Sequence, residues 1–393
     1  MRPPTSHDHA SSVGSGGSGH SPFSMGAPCT SVKSRRSSSA VKSTATRTDS
    51  PTPSVLSSLT MTPRRPRSRS GRLYDATPRR DTPPPVALPA HRLEGGRDRT
   101  PRTEDSSGAG GGRRVLLELG KHRIDVTDRT AIMAILNLSP DSPVADSVVD
   151  PSKALARARH LVAEGASIVD VGAHSTSSRA APIGPQEEIE RVCPVIEALS
   201  AEGIPVTVDS WTAEVARAAA AAGVDGLNDV TGFVDAEMVA VAAESDATPI
   251  VMHMRGRPQR HYDADQRYGD IVAEVRDFLL DRAAALEAAG APRPWLDPGF
   301  EFGKSLDDNL RLFGSLGDLV ATGYPVLISA SRKGFLAEAL GYEKRQDAPG
   351  QFEATLAFNV LAAARGVHVV RVHDVAAHAH ALRLVGAARG YGS

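Results

Sequence analysis

Short apolar segments alternate with helical patterns along the second part of the chain. Between Ala131 and Asp374 eight apolar runs recur, and nearly every one ends on a polar residue able to hold a ligand. The runs lie at 131–136, 167–171, 205–208, 226–227, 249–252, 295–296, 325–328 and 367–370. This alternation predicts an α/β fold, a (β/α)8 TIM barrel, with its chemistry at the C-terminal ends of the strands.

A β-hairpin is predicted ahead of the barrel. Residues 115–128 contain two alternating segments around Gly120 and Lys121, as in antiparallel strands joined by a tight turn. We expect this hairpin to close the bottom of a barrel domain that spans residues 114–393. Helix-start signals support the register of the units and lie at Asp150-Pro151, Thr212 and Asp235.

Residues 1–113 have a different composition, rich in Ser, Arg, Pro, Thr and Gly, with no apolar periodicity. Such a segment cannot bury enough surface to offset its chain entropy, so we predict a disordered basic extension. It holds 18 Lys and Arg against 8 Asp and Glu, a net charge of +10, which leaves −11 on the other 280 residues. A mistaken upstream start codon or a solvated extension ranks above nucleic-acid binding, acidic-lipid binding or an organellar transit peptide.

The remaining composition indicates a cytoplasmic protein with no membrane partner and no nucleic-acid partner. No apolar run approaches the roughly 18 residues that span a bilayer, and no secretory signal is visible. Cys29 and Cys193 are too few and too far apart for a disulfide framework or a thiolate metal site.

Three strand ends carry groups suited to a heterocycle. Asp209 and Asp297 accept hydrogen bonds from ring amino and N–H groups, whereas Asn228 offers both an acceptor and a donor. Each residue alone is more often a helix cap or a partner for a strand end. The three together favour recognition of a 2-amino-4-oxo pyrimidine edge.

A second group of strand-end residues suits a polyphosphate. Arg371 and His373 are two residues apart and share one face of the last strand, while Asn137 ends the adjacent first strand. The cationic pair would bind phosphate, and the neutral amide oxygen would complete a Mg²⁺ shell shared with phosphate oxygens. Taken by itself, His373 is equally well explained as a core histidine with its hydrogen bonds satisfied.

A third cluster, Ser331-Arg332-Lys333, leads directly from a strand into a helix. The first turn of a helix exposes N–H groups and the positive end of the dipole, so a carboxylate could dock near Ser331. Basic residues at this end of a helix are electrostatically disfavoured, which favours a functional role for Arg332 and Lys333.

Eight runs of residues resemble the dihydropteroate synthase family, in the family's order and across the whole barrel. None of them lies in residues 1–113. They are N-L-S-P-D-S (137–142), S-I-V-D-V-G (167–172), V-D-S (208–210), N-D-V-T-G (228–232), M-H-M-R-G (252–256), D-P-G-F-E-F-G-K (297–304), S-R-K-G-F (331–335) and R-V-H-D-V (371–375).

The resemblance implies that p-aminobenzoate displaces pyrophosphate from 6-hydroxymethyl-7,8-dihydropterin pyrophosphate, giving dihydropteroate in folate biosynthesis. It also implies a homodimer. By matching motif positions, the pterin residues are Asp209, Asn228, Met252, Asp297 and Lys333. The pyrophosphate residues are Asn137, Arg371 and His373, with Asn137 also a Mg²⁺ ligand. The p-aminobenzoate residues are Thr176, Phe302, Ser331 and Arg332. Catalysis is assigned to Asp297, Lys333, Arg371 and His373.

Two loops and the pocket floor depart from the family pattern. The family's first loop reads close to T-P-D-S-F-S-D-G-G, and here Pro143 replaces the aromatic residue, which predicts a stiffer lid. In the second loop Ser177 replaces an arginine, and we hypothesise that Arg179 folds back to supply the charge. Glu301 and Ser329 replace glycines. A carboxylate at Glu301 would repel pyrophosphate unless it turns away or pairs with a cation.

An active synthase is our first interpretation, and three alternatives stay open. One is a pterin-binding paralogue with another amine acceptor or no activity, since the changes cluster in the loops. Another is the related barrel of methyltetrahydrofolate corrinoid methyltransferases, against which Lys333, Arg371 and His373 argue. The last is a non-enzymatic sensor in which the basic extension is the functional part.

Overall fold

The structure, a computed structural model, describes residues 114–142, 144, 147–261 and 265–389. The predicted extension (1–113) and Pro143, with the stiffer lid expected from it, lie outside the described residues.

A two-stranded hairpin precedes the eight parallel strands of the barrel that the sequence predicts. In chain order the strands are β1 (Leu116–Leu119), β2 (His122–Asp125), β3 (Ala131–Asn137), β4 (Ile168–Gly172), β5 (Val206–Asp209), β6 (Gly226–Asp229), β7 (Thr248–Met252), β8 (Trp295–Asp297), β9 (Leu327–Ile328) and β10 (Val369–Val372). The barrel strands pair in the order β8-β7-β6-β5-β4-β3-β10-β9. The ring closes between β8 and β9, where Leu296 forms a parallel bridge with Val326 and its N–H donates to the Pro325 carbonyl at 2.8 Å.

Helices follow the barrel strands and cover the outside of the barrel. Among the described residues, none of them is long and apolar enough to cross a membrane. They are α1 (Ala154–Glu164), α2 (Pro185–Ala201), α3 (Ala213–Ala221), α4 (Ala236–Glu244), α5 (Ile271–Ala288), α6 (Leu306–Gly314), α7 (Leu316–Val320), α8 (Gly334–Ala339), α9 (Gln351–Ala364) and α10 (Val375–Arg389).

The helix-start signals hold at all three positions, and at two of them the side chain also caps the helix. The Asp150 carboxylate accepts from the Ser152 N–H at 2.9 Å, at the start of a 3-10 turn that leads into α1. Asp235 likewise accepts from the Glu237 N–H at 2.9 Å. Thr212 precedes α3, but its side chain makes no capping hydrogen bond.

The predicted hairpin closes the bottom of the barrel. Its strands, β1 and β2, pair antiparallel around Gly120. Leu119 is fully buried and packs against Gly226 of β6. A Cβ atom at Gly226 would lie only 2.9 Å from the Leu119 Cδ1, so the contact requires glycine there. The Trp295 indole N–H donates to the Glu118 carbonyl at 3.2 Å. Because this end is filled by apolar side chains, the opposite end is left for a ligand.

Candidate functional site

A cavity of about 280 Å³ opens at the C-terminal ends of the strands. All of the site residues predicted from the sequence line it, apart from Arg332. They are Asn137, Thr176, Asp209, Asn228, Met252, Asp297, Phe302, Ser331, Lys333, Arg371 and His373. The residues predicted to hold a heterocycle and those predicted to hold a polyphosphate therefore share one space.

Arg371 of β10 lies between two carboxylates at the floor of this cavity. Its Nε donates to Asp170 Oδ2 at 2.5 Å, and its Nη2 donates to Asp209 Oδ2 at 2.6 Å. Asp170 is completely buried, and the arginine side chain is 16% exposed. One guanidinium thus links β10 with β4 and β5, and it does so at the point where the cavity begins.

Asp170 organises this floor, although we did not select it as a site residue from the sequence. Its Oδ1 accepts from the Thr207 hydroxyl at 2.5 Å, and its Oδ2 accepts from the Asn228 amide at 3.2 Å. A charged residue in the middle of the apolar run 167–171 was the signal that could have identified it. A buried carboxylate needs several donors, and here it receives hydrogen bonds from Arg371, Thr207 and Asn228.

Two carboxylates remain positioned for a ligand. Asp209 Oδ1 is buried and has no hydrogen-bond partner among the described residues. Asp297 Oδ1 accepts from the Gly299 N–H at 2.7 Å. Burial raises the pKa of each carboxyl to about 6, opposed mainly by Arg371 at Asp209 and by Lys333 at Asp297. Both are strong acceptors for ring N–H groups once they are ionised.

Lys333 provides a cation on the other side of the cavity, just before α8. Its ammonium donates to the Phe300 carbonyl at 2.8 Å and lies 4.3 Å from the centre of the Phe302 ring. Burial lowers the pKa of Lys333 to about 8, although Asp297 and Glu301 oppose the shift. The charge of this lysine therefore depends on pH close to neutrality.

The predicted phosphate residues lie at the ends of two neighbouring strands, β10 and β3. His373 Nδ1 is 2.9 Å from the Ser331 hydroxyl, at the ends of β10 and β9. At the end of β3, Asn137 Oδ1 accepts from the Ser139 N–H at 2.9 Å. A carbonyl oxygen has a second lone pair, so this contact leaves Asn137 able to bind a cation as well.

Two arginines do not lie where the sequence led us to expect them. Arg332 has a left-handed backbone (φ 56°), which turns its guanidinium onto Asp374 at 2.6 Å and away from the cavity lining. Arg179 is exposed and is not part of the lining either. The hypothesis that it replaces the charge missing at Ser177 is therefore not supported by its position.

We expected Glu301 either to turn away from the pyrophosphate or to pair with a cation, and the structure shows the pairing. Its Oε1 lies 3.7 Å from Lys344 Nζ, while its Oε2 accepts from the Gly334 N–H at 2.8 Å. The Glu301 carboxylate thus accepts from the first N–H of α8, at the helix end where we had expected a ligand carboxylate to dock. The other replaced glycine, Ser329, is buried and lines the cavity.

Comparison with known proteins agrees with this geometry. Residues 133–373 match the family model described as pterin binding enzyme. The dihydropteroate synthase of Streptococcus pyogenes is 40% identical over 268 residues, which are 67% of this chain and 96% of the relative. That of Neisseria meningitidis serogroup C is 41% identical over 277 residues, 69% of this chain and 96% of the relative.

Solved structures give the same result. Dihydropteroate synthase from Thermus thermophilus in complex with 4-aminobenzoate has a TM-score of 0.62 and 41% identity, and the match covers 70% of this chain and 99% of that one. The Burkholderia cenocepacia dihydropteroate synthase complexed with 7,8-dihydropteroate has a TM-score of 0.63 and 37% identity, over 70% of this chain and 97% of that one.

Asp170→Asn tests the buried charge network. The variant leaves Arg371 with one carboxylate partner inside the barrel, and breaking a buried ion pair costs about 3–5 kcal/mol. We expect a loss of that size in the free energy of unfolding, measured by urea denaturation. Glu244→Gln, which removes an exposed pair with Arg217, is the control and should cost no more than about 1 kcal/mol. Equal effects of the two substitutions would contradict the network.

Proposed function

Because this chain belongs to the dihydropteroate synthase family, we propose that its cavity joins 6-hydroxymethyl-7,8-dihydropterin pyrophosphate to p-aminobenzoate, giving dihydropteroate and pyrophosphate. One observation carries the proposal. The acceptors for a pterin and the cations for a diphosphate line a single cavity, with Arg371 in contact with Asp209. A flat bicyclic ring and its charged tail can therefore be bound at the same time.

The pterin would lie across the carboxylates and the amide at the ends of β5, β6 and β8. Asp209 supplies a buried oxygen that has no other hydrogen-bond partner among the described residues. Asn228 keeps its carbonyl oxygen for the ligand, because its NH₂ group donates to Asp170. Met252 lines the same space and offers an apolar, polarisable surface for the ring face.

Departure of pyrophosphate is the chemical problem at the other end. Arg371 and His373 would bind the phosphate oxygens and stabilise the negative charge that grows on them. As the C–O bond weakens, positive character develops on the exocyclic carbon of the pterin, and the nearby Asp297 carboxylate favours it. The amine nitrogen, positioned next to this carbon, then forms the new bond.

The donor set suits a magnesium ion that arrives with the diphosphate. Among the described residues, no group of three or more His, Cys, Asp or Glu side chains could hold a metal ion. Asn137 Oδ1 would supply one neutral oxygen, and phosphate oxygens and water would complete the octahedral shell. When bound, Mg²⁺ would neutralise part of the charge of the leaving group.

The p-aminobenzoate site would lie between the β4–α2 loop and the turn before α8. Phe302 offers a ring face, and Thr176 and Ser331 offer hydroxyl donors. Since Arg332 pairs with Asp374 and Ser177 carries no charge, the acceptor carboxylate would depend on these hydroxyls and on Lys333.

Two further assignments are part of the proposal. We expect a homodimer, because α9 and α10 expose Leu361 and Leu384, which are 50% and 72% accessible in the single chain.

We also expect the enzyme to act in the cytoplasm, where thiols such as that of Cys193 stay reduced.

Pyrophosphate release tests the function. The full-length protein, incubated with the pterin pyrophosphate and Mg²⁺, should release pyrophosphate only when p-aminobenzoate is present. Asp297→Asn should lower kcat by about 10²-fold, because a preorganised charge at the reacting centre is lost. Asp307→Asn, on an exposed position of α6, should have no effect and is the control. Tight pterin binding without release would instead support a paralogue that does no chemistry.

The pH profile of kcat/KM should be bell-shaped. The pKa values of Asp209 and Asp297 are raised to about 6, so the ionised forms, and with them activity, are lost as pH falls through that value. The pKa of Lys333 is lowered to about 8, so its charge is lost as pH rises through that value. Rates measured from about pH 5 to about pH 9 check this, and a flat profile would contradict it.

A further inference from the structure

A buried carboxylate and an imidazole lie beside the cavity, apart from the residues assigned above. Glu188 is in the first turn of α2 and only 1% exposed. Its Oε2 lies 3.4 Å from His174 Nδ1, and its Oε1 has no hydrogen-bond partner among the described residues. Burying a carboxylate without partners is costly, and such groups concentrate at functional sites. Glu188 thus lies next to His174, which lines the cavity.

The amide of Gln259 identifies which nitrogen of His174 carries the hydrogen. Gln259 Nε2 donates to the Ser175 carbonyl at 3.1 Å and lies 3.2 Å from His174 Nε2. Because one NH₂ group serves both contacts, we assign His174 Nε2 as an acceptor. Nδ1 then carries the hydrogen, and the nearest Glu188 oxygen lies 3.4 Å from it.

His174 also lies in the region assigned to the amine acceptor. It is part of the cavity lining, and its side chain is 11% exposed. The ring lies against Trp211 in a tilted arrangement, with ring centres 4.5 Å apart and an interplanar angle of 38°. Trp211 and Phe302 pack against the same apolar cluster, which includes Met252. Through Trp211, the imidazole therefore adjoins the apolar cluster to which Met252 belongs.

We propose that His174, oriented by Glu188, is the base that accepts the proton of the amine substrate, a role that rests on the proposed function. The amine nitrogen forms a bond to the exocyclic carbon while the C–O bond breaks and its electron pair leaves with pyrophosphate. The nitrogen then holds one proton too many, and this proton passes to His174 Nε2. The amine N–H takes the donor position that the Gln259 amide fills here, and the Glu188 carboxylate stabilises the imidazolium.

Burial shifts the pKa of both members of the pair. Burial lowers the pKa of His174, and Arg191 acts in the same direction, so the ring is neutral and able to accept a proton at neutral pH. Burial raises the pKa of Glu188 to about 7, assisted by Asp209 and opposed by Ser210 and Arg191, so the ionised form that stabilises the imidazolium predominates above that pH. Arg371 and Lys333 are unsuited as bases, since Arg371 is permanently charged and Lys333 donates to a carbonyl.

Imidazole rescue tests the proposal with the full chain. His174→Gln should lower kcat by about 10²-fold while KM for the pterin pyrophosphate changes by less than about twofold. His174→Ala should be equally slow, and added imidazole should restore its amine-dependent release of pyrophosphate in a saturable manner. Glu188→Gln should also lower kcat. His160→Gln is the matched control and should behave as the wild type, because the His160 side chain lies on α1 and is 62% exposed.

The outcomes separate this proposal from the proposed function. A wild-type protein that releases pyrophosphate with p-aminobenzoate, together with His174→Gln at full kcat, would overturn the role of His174 alone. A slow His174→Ala that imidazole does not restore would also overturn it, because the histidine would then only hold the loop. A wild-type protein without any amine-dependent release would refute both proposals.

Discussion

The Arg371 guanidinium between Asp170 and Asp209 is the contact on which the arrangement of the site depends. Two carboxylates and one cation placed inside a barrel lose much of their hydration, and only close, well-aligned hydrogen bonds offset that cost. The two contacts, at 2.5 and 2.6 Å, meet this requirement. They also leave one oxygen of Asp209 for a ligand. The same contact therefore stabilises the floor of the cavity and positions a group that binds the ligand.

The barrel makes this contact possible by fixing strand ends. Parallel pairing of β10 with β3, β3 with β4 and β4 with β5 sets the spacing between Arg371 and its two partners. The hairpin fills the opposite end with apolar side chains, of which Leu119 is fully buried. Charged groups and apolar groups are therefore separated along the barrel axis, with chemistry at one end and stability at the other.

The barrel and part of its cavity could be predicted from the sequence, because the spacing of apolar residues and the residues at strand ends are local signals. The apolar runs predicted the barrel, and the polar residues at the ends of the runs predicted the groups that we assign to the pterin and the phosphate, such as Asp209 and Arg371. Arg332 and Arg179 lie outside the cavity lining, where we had not expected them. For Arg332 the reason is physical, because the direction of a long side chain depends on backbone angles, such as its positive φ, that a motif does not reveal. The pairing of His174 with Glu188 joins residues of a loop and a helix, and no spacing rule connects them.

The most direct test is a pair of calorimetric titrations of the wild type and Arg371→Gln, one with pyrophosphate and one with 6-hydroxymethylpterin. Arg371 contacts Asp209 directly and would also meet the phosphate oxygens, so its loss should weaken the binding of both ligands. A variant that loses affinity for pyrophosphate but binds the pterin as tightly as the wild type would contradict this account.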